Sequence, residues 1–368
     1  MTEKKMNQKI YRTIGLMSGT SLDGIDVALI ETDGMGYVKP IGFYYKTYEA
    51  DLRELLRRCF GANLSSPDTQ LAESQLTAAH AAAVEEALKD INFPKTKIDI
   101  VGFHGQTITH DPAHRFTWQL GDGAMLAKIL SLPVINDFRS DDVVAGGQGA
   151  PLIPIYHWAR CFQSQVKFPV AILNIGGVSN VTWLGREEGD ILAFDCGPGN
   201  ALIDDIVLKA TGQRFDEDGA ISKSGQVDGD VVDRWLRHEF FSMKPPKSLD
   251  RQAWDITTIS NFPLPDAVAT LTDFTVRSIA EAKRFFPEPV NCLYVTGGGR
   301  LNLSIMEGLR NYFGDVQPVE RMGWNGDSLE AEGFAYLAVR SLLKLPISFP
   351  KTTGCPYPIS GGTFHPSP

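Results

Sequence analysis

Three short strings in this chain combine glycine with hydroxyl, amide or carboxylate side chains, a chemistry suited to gripping phosphate oxygens and moving a proton. The first is Met17-Ser18-Gly19-Thr20-Ser21-Leu22-Asp23-Gly24, set between apolar runs at residues 11–16 and 27–30. Gly19 and Gly24 can take positive φ, or let a ligand reach the backbone with no Cβ in the way. The loop then aims backbone N–H groups and the Ser18, Thr20 and Ser21 hydroxyls at one spot, a donor set that binds anionic oxygen well. It is not a P-loop, because no Gly-Lys-Ser/Thr follows, and not a dinucleotide fingerprint, because no helix opens at its last glycine. On composition alone an ordinary polar hairpin turn is the plainer alternative.

The second string is Phe194-Asp195-Cys196-Gly197-Pro198-Gly199-Asn200, which puts Asp195 at a strand end before a Gly-Pro-Gly bend and a helix start. An aspartate there either caps the bend and helix or acts as a general base. With an ordinary pKa of about 3.9 it is ionised at neutral pH, and proton removal by such a group contributes about 10²–10⁴ in rate. The third string, Thr296-Gly297-Gly298-Gly299-Arg300-Leu301-Asn302, follows an apolar strand and precedes a helix with Leu303, Met306, Leu309 and Phe313 on one face. By itself a glycine triplet after a strand is a weak signal.

The elements that must carry these strings follow from periodicity. The first string joins two strands of a hairpin. A helix then starts at Ser66-Pro67-Asp68, with Ser66 as N-cap and Pro67 in its first position, and Leu71, Leu76, Ala79, Ala83 and Leu88 recur near the helical period. Residues 98–107 read as a strand running into a loop with His104, Gly105 and Gln106. Residues 132–138 read as another strand, ending at Asp137 and followed by Arg139 and the glycine-rich segment 145–151. Such strand ends are where ligand groups collect in an α/β sheet. Residues 156–165 read as a helix, and at Val170 the plan restarts. Ile172-Leu173-Asn174-Ile175-Gly176-Gly177-Val178-Ser179-Asn180 repeats the opening hairpin, and residues 292–300 repeat the strand into glycine. The order hairpin, helix, strand-into-glycine in both halves suggests an internal duplication, offset by roughly the length of a domain.

Composition narrows the partners. A chain of 368 residues with 43% hydrophobic content can fill two cores. Its net charge of −9 and pI near 5.3 disfavour nucleic acid and anionic membrane as partners, since phosphate backbones require a basic stripe. The five cysteines form no Cys-x-x-Cys pair, so neither a disulfide framework nor a zinc site is expected. His104, His110 and His114 match no metal-binding spacing. The N-terminal residues lack an apolar signal core, and no run approaches the roughly 18 apolar residues of a membrane span; a cytoplasmic protein is expected.

Met-Ser-Gly-Thr-Ser-Leu-Asp-Gly and Phe-Asp-Cys-Gly-Pro-Gly-Asn closely resemble segments of the anhydro-N-acetylmuramic acid kinases, members of the sugar kinase, actin and heat-shock chaperone superfamily. The resemblance runs from Ile14 to the C-terminal region. It implies an α/β fold of two actin-like (ribonuclease H-like) domains, 1–165 and 166–368, facing across a nucleotide-binding cleft, with the C-terminal segment free to pack back on the first domain. It implies ATP and Mg²⁺, with Gly19, Thr20, Ser21, Leu22, Asp23, Gly24, Ile25 and Asp26 of the first hairpin and Gly176 and Gly177 of the second at the phosphates. Gly297, Gly298 and Gly299 would face adenosine, and Asp195 would be the catalytic base. His104, Gln106, Asp137, Arg139 and Glu330, the last in Gly326-Asp327-Ser328-Leu329-Glu330-Ala331, would meet a small anhydrosugar.

Three departures bear on these roles. Met17 stands where many superfamily kinases have an acidic residue, which moves metal ligation to other carboxylates such as Asp23 or Asp26. Phe138-Arg139-Ser140-Asp141-Asp142 replaces a Phe-Arg-Arg-Arg-Asp pattern and leaves Arg139 alone to meet a substrate carboxylate. Pro246-Lys247-Ser248-Leu249-Asp250-Arg251 keeps part of a Pro-Lys-Ser-Thr-Gly-Arg pattern. The rival readings are a kinase for another sugar and an actin- or chaperone-like ATPase acting on protein partners. A dinucleotide oxidoreductase is disfavoured by the missing Gly-x-Gly-x-x-Gly spacing. The oligomeric state stays open, with a homodimer among the arrangements considered.

Overall fold

The opening apolar runs form the centre of a first sheet in the computed structural model, which describes residues 9–249 and 253–368. Strands β1 (Tyr11–Ser18) and β2 (Gly24–Thr32) pair antiparallel from Tyr11↔Thr32 to Met17↔Asp26. Thr13, Ile14, Gly15 and Leu16 are all buried, as a strand covered on both faces requires. Next come β3 (Val38–Thr47) and α1 (Ala50–Arg58), which the sequence pattern does not announce. β3 is an edge strand, and with Lys39, Pro40 and Tyr45 exposed it has no clean alternation to read.

Helix α2 (Pro67–Asp90) opens on a reciprocal capping box, in which Ser66 Oγ accepts from the Thr69 N–H at 3.2 Å and Thr69 Oγ1 from the Ser66 N–H at 2.8 Å. Its buried stripe holds Ala72, Leu76, Ala83, Val84 and Leu88, but Leu71, which the periodicity put on that stripe, is 50% exposed. β4 (Ile100–Asp111) runs parallel to β1, and β5 (Phe116–Leu120), α3 (Gly123–Leu130), β6 (Val134–Asn136), α4 (Ser140–Ala145) and α5 (Pro154–Gln163) follow. The strand expected over residues 132–138 shrinks to three residues. Pro133 has no N–H to donate, and Asp137 takes a left-handed φ of 54° that ends extended pairing.

The second unit starts with the antiparallel strands β7 (Val170–Ile175), β8 (Val178–Leu184) and β9 (Ile191–Pro198). Helix α6 (Ala201–Thr211) closes on Gly212 at φ 77°, and α7 (Ala220–Ser224), α8 (Gly229–Trp235) and α9 (Leu264–Glu281) lead to β10 (Leu293–Thr296), α10 (Leu303–Phe313) and β11 (Val316–Pro318). In α10, Met306 and Leu309 are buried as expected, whereas Leu303 in the first turn is 62% exposed. The strand order β11-β10-β7-β8-β9, three antiparallel strands and then two parallel additions, repeats β6-β4-β1-β2-β3 of the first sheet. Each unit is an actin-like, ribonuclease H-like α/β domain with its own core.

The chain divides into Met1–Gln165 with Ser328–Pro368, and Val166–Asp327. The second unit therefore ends at Asp327 rather than at 368. Helices α11 (Leu329–Leu342) and α12 (Pro350–Thr353) and strand β12 (Thr363–His365) belong to the first unit, where β12 pairs antiparallel with β6. Two neighbouring glycines admit α11: a Cβ on Gly15 would lie 1.8 Å from Ala331 O, and one on Gly102 2.3 Å from Phe334 O. Glu332 anchors the start of α11, accepting from Ser328 Oγ at 2.6 Å, from Arg160 Nη1 at 2.5 Å and from Tyr156 OH. A methyl at position 15 must push α11 off the sheet. Gly15→Ala is expected to lower stability by about 1–3 kcal/mol or more, read as a reduced melting temperature; an unchanged melt would contradict this close docking.

Candidate active site

Both predicted hairpins form, but their glycines play different parts. In the first unit the turn closes with Leu22 N–H donating to Gly19 O at 3.1 Å, and it is Leu22, at φ 58°, that takes the left-handed conformation, not Gly19 or Gly24. Space around Gly19 is open, since its Cβ would meet only Ser21 Oγ at 3.6 Å. Gly24 instead serves sheet packing, because a Cβ there would lie 2.3 Å from Lys46 O and against the Tyr45 ring. Thr20, Ser21 and Asp23 are exposed and Asp26 is half-buried, while Leu22 and Ile25 point into the core and leave only their backbone to a ligand.

The polar side chains next to this turn brace it. Gln106, fully buried, donates from Nε2 to Gly19 O at 3.0 Å, and Ser18 Oγ donates to Gly105 O at 3.1 Å, tying the end of β1 to the middle of β4, which runs on through the expected loop to Asp111. His104 is buried and both its nitrogens are used: Nδ1 donates to Gly105 O at 2.8 Å and Nε2 accepts from Arg139 Nε at 3.0 Å. Burial and the Arg139 charge hold its pKa well below the usual imidazole range, so the ring is neutral. No nitrogen is left for a sugar hydroxyl, and the ring positions Arg139 instead. Arg139 also donates to Gly149 O at 2.6 Å and lies over the Phe334 ring at 5.9 Å. Burial draws its pKa down to about 10, with Glu330 and Asp142 opposing, and it stays cationic at neutral pH. Asp142 accepts from Gly149 N–H and from Thr353 Oγ1, both at 2.6 Å, which pins the glycine-rich segment. Asp137 accepts from Ser140 Oγ at 2.5 Å. Glu330 remains solvent-accessible, yet the crowding of protein around it raises its carboxyl pKa against the pull of Arg139.

In the second unit, Gly176 and Gly177 face open space; the nearest atoms to a Cβ would be Val178 O at 3.7 Å and Ala201 Cβ at 3.5 Å. The hairpin is tied to the start of α6 by Gly199 N–H to Gly177 O at 2.9 Å and Asn200 N–H to Gly176 O at 2.7 Å. The positive end of α6 thus stands beside the two glycines, a setting that favours phosphate. Asp195 lies in the adjoining strand, opposite Asn180 in the β8–β9 register. It is partly accessible, and its Oδ2 accepts from the Leu249 N–H at 2.8 Å. Burial raises its carboxyl to about 7, against the lowering effect of that N–H and of the Lys247 charge. A carboxyl titrating near neutrality is matched to general-base work.

Next to the second hairpin is a cavity of about 380 Å³, within the range of small-molecule sites. Its lining includes Asn200, Ile203, Asp204, Phe215, Glu217, Gly298 and Leu301. Phe215 and Leu301 are 56% and 61% exposed, so apolar surface faces the opening. Of the glycine triplet, Gly298 alone lines the cavity. Gly297, at φ 75°, and Gly299 are packing positions, where a Cβ would lie 2.3 Å from Asn174 Oδ1 and 2.4 Å from the Ile175 side chain. Sequence reasoning missed Phe215 and Glu217, which sit between helices in a segment with no apolar periodicity, and it gave no role to Leu249 although it noted the motif around it; the Gly-Pro-Gly-Asn string and the glycine triplet were the signals that pointed to this corner.

Among the described residues no cluster of three or more His, Cys, Asp or Glu side chains forms a metal cage, and no helix is long and apolar enough to cross a membrane. All five cysteines are buried thiols. The family model for anhydro-N-acetylmuramic acid kinase matches residues 11–367. The chain is 49% identical over 362 residues to an anhydro-N-acetylmuramic acid kinase of Zymomonas mobilis, covering 96% of this chain and 99% of that protein. It is 49% identical over 359 residues to one of Rhizorhabdus wittichii and 47% over 358 residues to one of Paramagnetospirillum magneticum, covering 96% of this chain and 98% and 99% of those proteins. With likeness of this degree over nearly its full length, the chain belongs to the anhydro-N-acetylmuramic acid kinase family.

Proposed function

We propose that this chain is an ATP-dependent sugar kinase that opens 1,6-anhydro-N-acetylmuramic acid with water and phosphorylates O6, giving N-acetylmuramic acid 6-phosphate and ADP, in cytoplasmic peptidoglycan recycling. The substrate follows from family membership. The chemistry rests on one observation, a partly accessible Asp195 carboxyl titrating near neutrality beside an open glycine hairpin.

In a 1,6-anhydrosugar O6 is bonded to C1, so no free 6-hydroxyl exists until that bridge opens. Asp195 takes a proton from water as the water oxygen bonds to C1. The C1–O6 bond breaks with its electron pair on O6, O6 attacks the γ-phosphorus, and ADP leaves; Asp195 then returns its proton to solvent. Loose phosphoryl transfer needs positioning and charge neutralisation more than covalent help. The backbone of Gly176, Gly177 and the α6 N-terminus supplies donors, as do the Gly19 turn and the Thr20 and Ser21 hydroxyls. Phe215, Leu301 and Gly298 accept the purine, with Asp204 and Glu217 toward the ribose. Asp23, exposed in the turn, and Asp26, half-buried in β2, are the carboxylates that would hold a Mg²⁺ ion carried by the nucleotide, where one or two carboxylates suffice; the ion would neutralise phosphate charge. Arg139 meets the lactyl carboxylate, Asp137 and Glu330 meet sugar hydroxyls, His104 holds Arg139 in place, and Gln106 holds the Gly19 turn.

The test is the fate of water oxygen. Reaction in ¹⁸O-water is expected to put label on C1 and none in the transferred phosphate, with ADP release depending on the anhydrosugar across a panel of sugars. Label in the phosphate, or equal ADP release without sugar, would overturn the reading.

A further inference from the structure

The segment 240–249 meets β9, the edge strand of its sheet, at Asp195, which it touches twice: Asp195 N–H donates to Lys247 O at 3.0 Å, and Leu249 N–H donates to Asp195 Oδ2 at 2.8 Å. Such a segment holds an active-site carboxyl in one orientation only if it is itself fixed, and one side chain does this. Lys247 is 7% exposed, its Nζ donates to Phe240 O at 2.9 Å, and the ammonium lies 4.2 Å from the Phe240 ring centroid and 4.9 Å from that of Phe285. A desolvated ammonium between two aromatic faces is a strong anchor.

We propose that Lys247 is a positioning residue for the proton-accepting carboxyl: anchored between Phe240 and Phe285, it clamps the segment whose Leu249 N–H orients Asp195 and leaves the second carboxylate oxygen to the attacking water. The proposal rests on the reading of Asp195 as the base. The ammonium touches neither Asp195 oxygen and acts through the backbone and through its charge. The charged and titratable groups around the pair are Cys196 on the same strand and, behind Lys247, Glu281 at the end of α9 and Arg284 just beyond it, joined to each other at 3.1 Å. Burial pulls the Lys247 pKa down to about 8, so it is charged over the range in which Asp195 titrates. The N–H and the ammonium both favour the ionised carboxylate, so losing them moves its titration to higher pH.

The experiment compares Lys247→Met, Phe240→Leu and Asp195→Asn in the full chain, with ADP release from the anhydrosugar as the assay. For Lys247→Met the expected result is a kcat lower by about 10–10²-fold, short of the loss on removing the base itself, an ATP KM within about twofold, and an acid limb of the rate profile raised by about one pH unit. Phe240→Leu is expected to move kcat and the acid limb in the same directions by less, and it carries the decision if the Met variant does not fold. A folded variant with wild-type kcat and an unmoved acid limb would overturn the role of Lys247, whereas an active Asp195→Asn protein would overturn the underlying assignment of the base.

Discussion

Asp195→Asn is expected to lower kcat by about 10²–10⁴ while making the protein more stable at alkaline pH. Both effects have one cause: burial lifts the carboxyl to about 7 in the folded chain, against about 3.9 in the unfolded one. A carboxyl raised on folding contributes stability while protonated, in full below about 3.9, and that contribution is lost as pH rises through about 7. At pH 8 the ionised group is therefore a liability, which asparagine removes while still accepting the Leu249 N–H. Melts of the two proteins should lie closest below about pH 4, already differ somewhat at pH 5 and separate fully by pH 8, with the variant higher by about 2–4 °C for each kcal/mol recovered. The wild-type rate should fall about tenfold per pH unit once pH drops below the pKa. An active Asn variant, or one that melts lower at pH 8, would refute the assignment.

Gly19→Val should raise the ATP KM by about tenfold or more with the melting temperature unchanged. The structure separates this effect from damage to the fold, because a Cβ at position 19 meets only Ser21 Oγ at 3.6 Å, whereas one at position 24 meets Lys46 O at 2.3 Å. Gly24→Val should accordingly lose stability rather than affinity. Steady-state kinetics and a thermal melt on both variants decide the matter; wild-type kinetics in Gly19→Val would remove the turn from the nucleotide site.

How much of this was legible in the sequence differs by element. The hairpins, the Ser66 cap and the strand-end place of Asp195 were readable because glycine, hydroxyl and carboxylate strings lay between unmistakable apolar strands. β3 was not, because an edge strand with Lys39, Pro40 and Tyr45 in solvent has no period to detect. Leu71 and Leu303 misled because both sit near the start of a helix, where a residue in phase with the apolar stripe still overhangs the packed surface. Glycine was the most ambiguous letter. Gly19 and Gly298 leave room for a ligand, Gly24 and Gly299 leave room for the protein itself, and only three-dimensional neighbours tell the two apart. Likewise a polar residue beside a glycine turn, such as Gln106 or His104, looks the same in sequence whether it meets a ligand or braces the turn.

The return of residues 328–368 to the first unit has a consequence for synthesis. On the ribosome the second unit, an unbroken stretch from Val166 to Asp327, can close as soon as it emerges. The first sheet, begun more than three hundred residues earlier at Tyr11, must wait for α11 to cover Gly15 and Gly102 and for Thr363–His365 to protect the edge of β6. Until then its apolar face and an unpaired strand edge stand open, the state in which a nascent chain is most prone to aggregate. The part of the chain made first is thus the last to be finished, and a truncation near the C-terminus should be felt in the domain that contains the N-terminus.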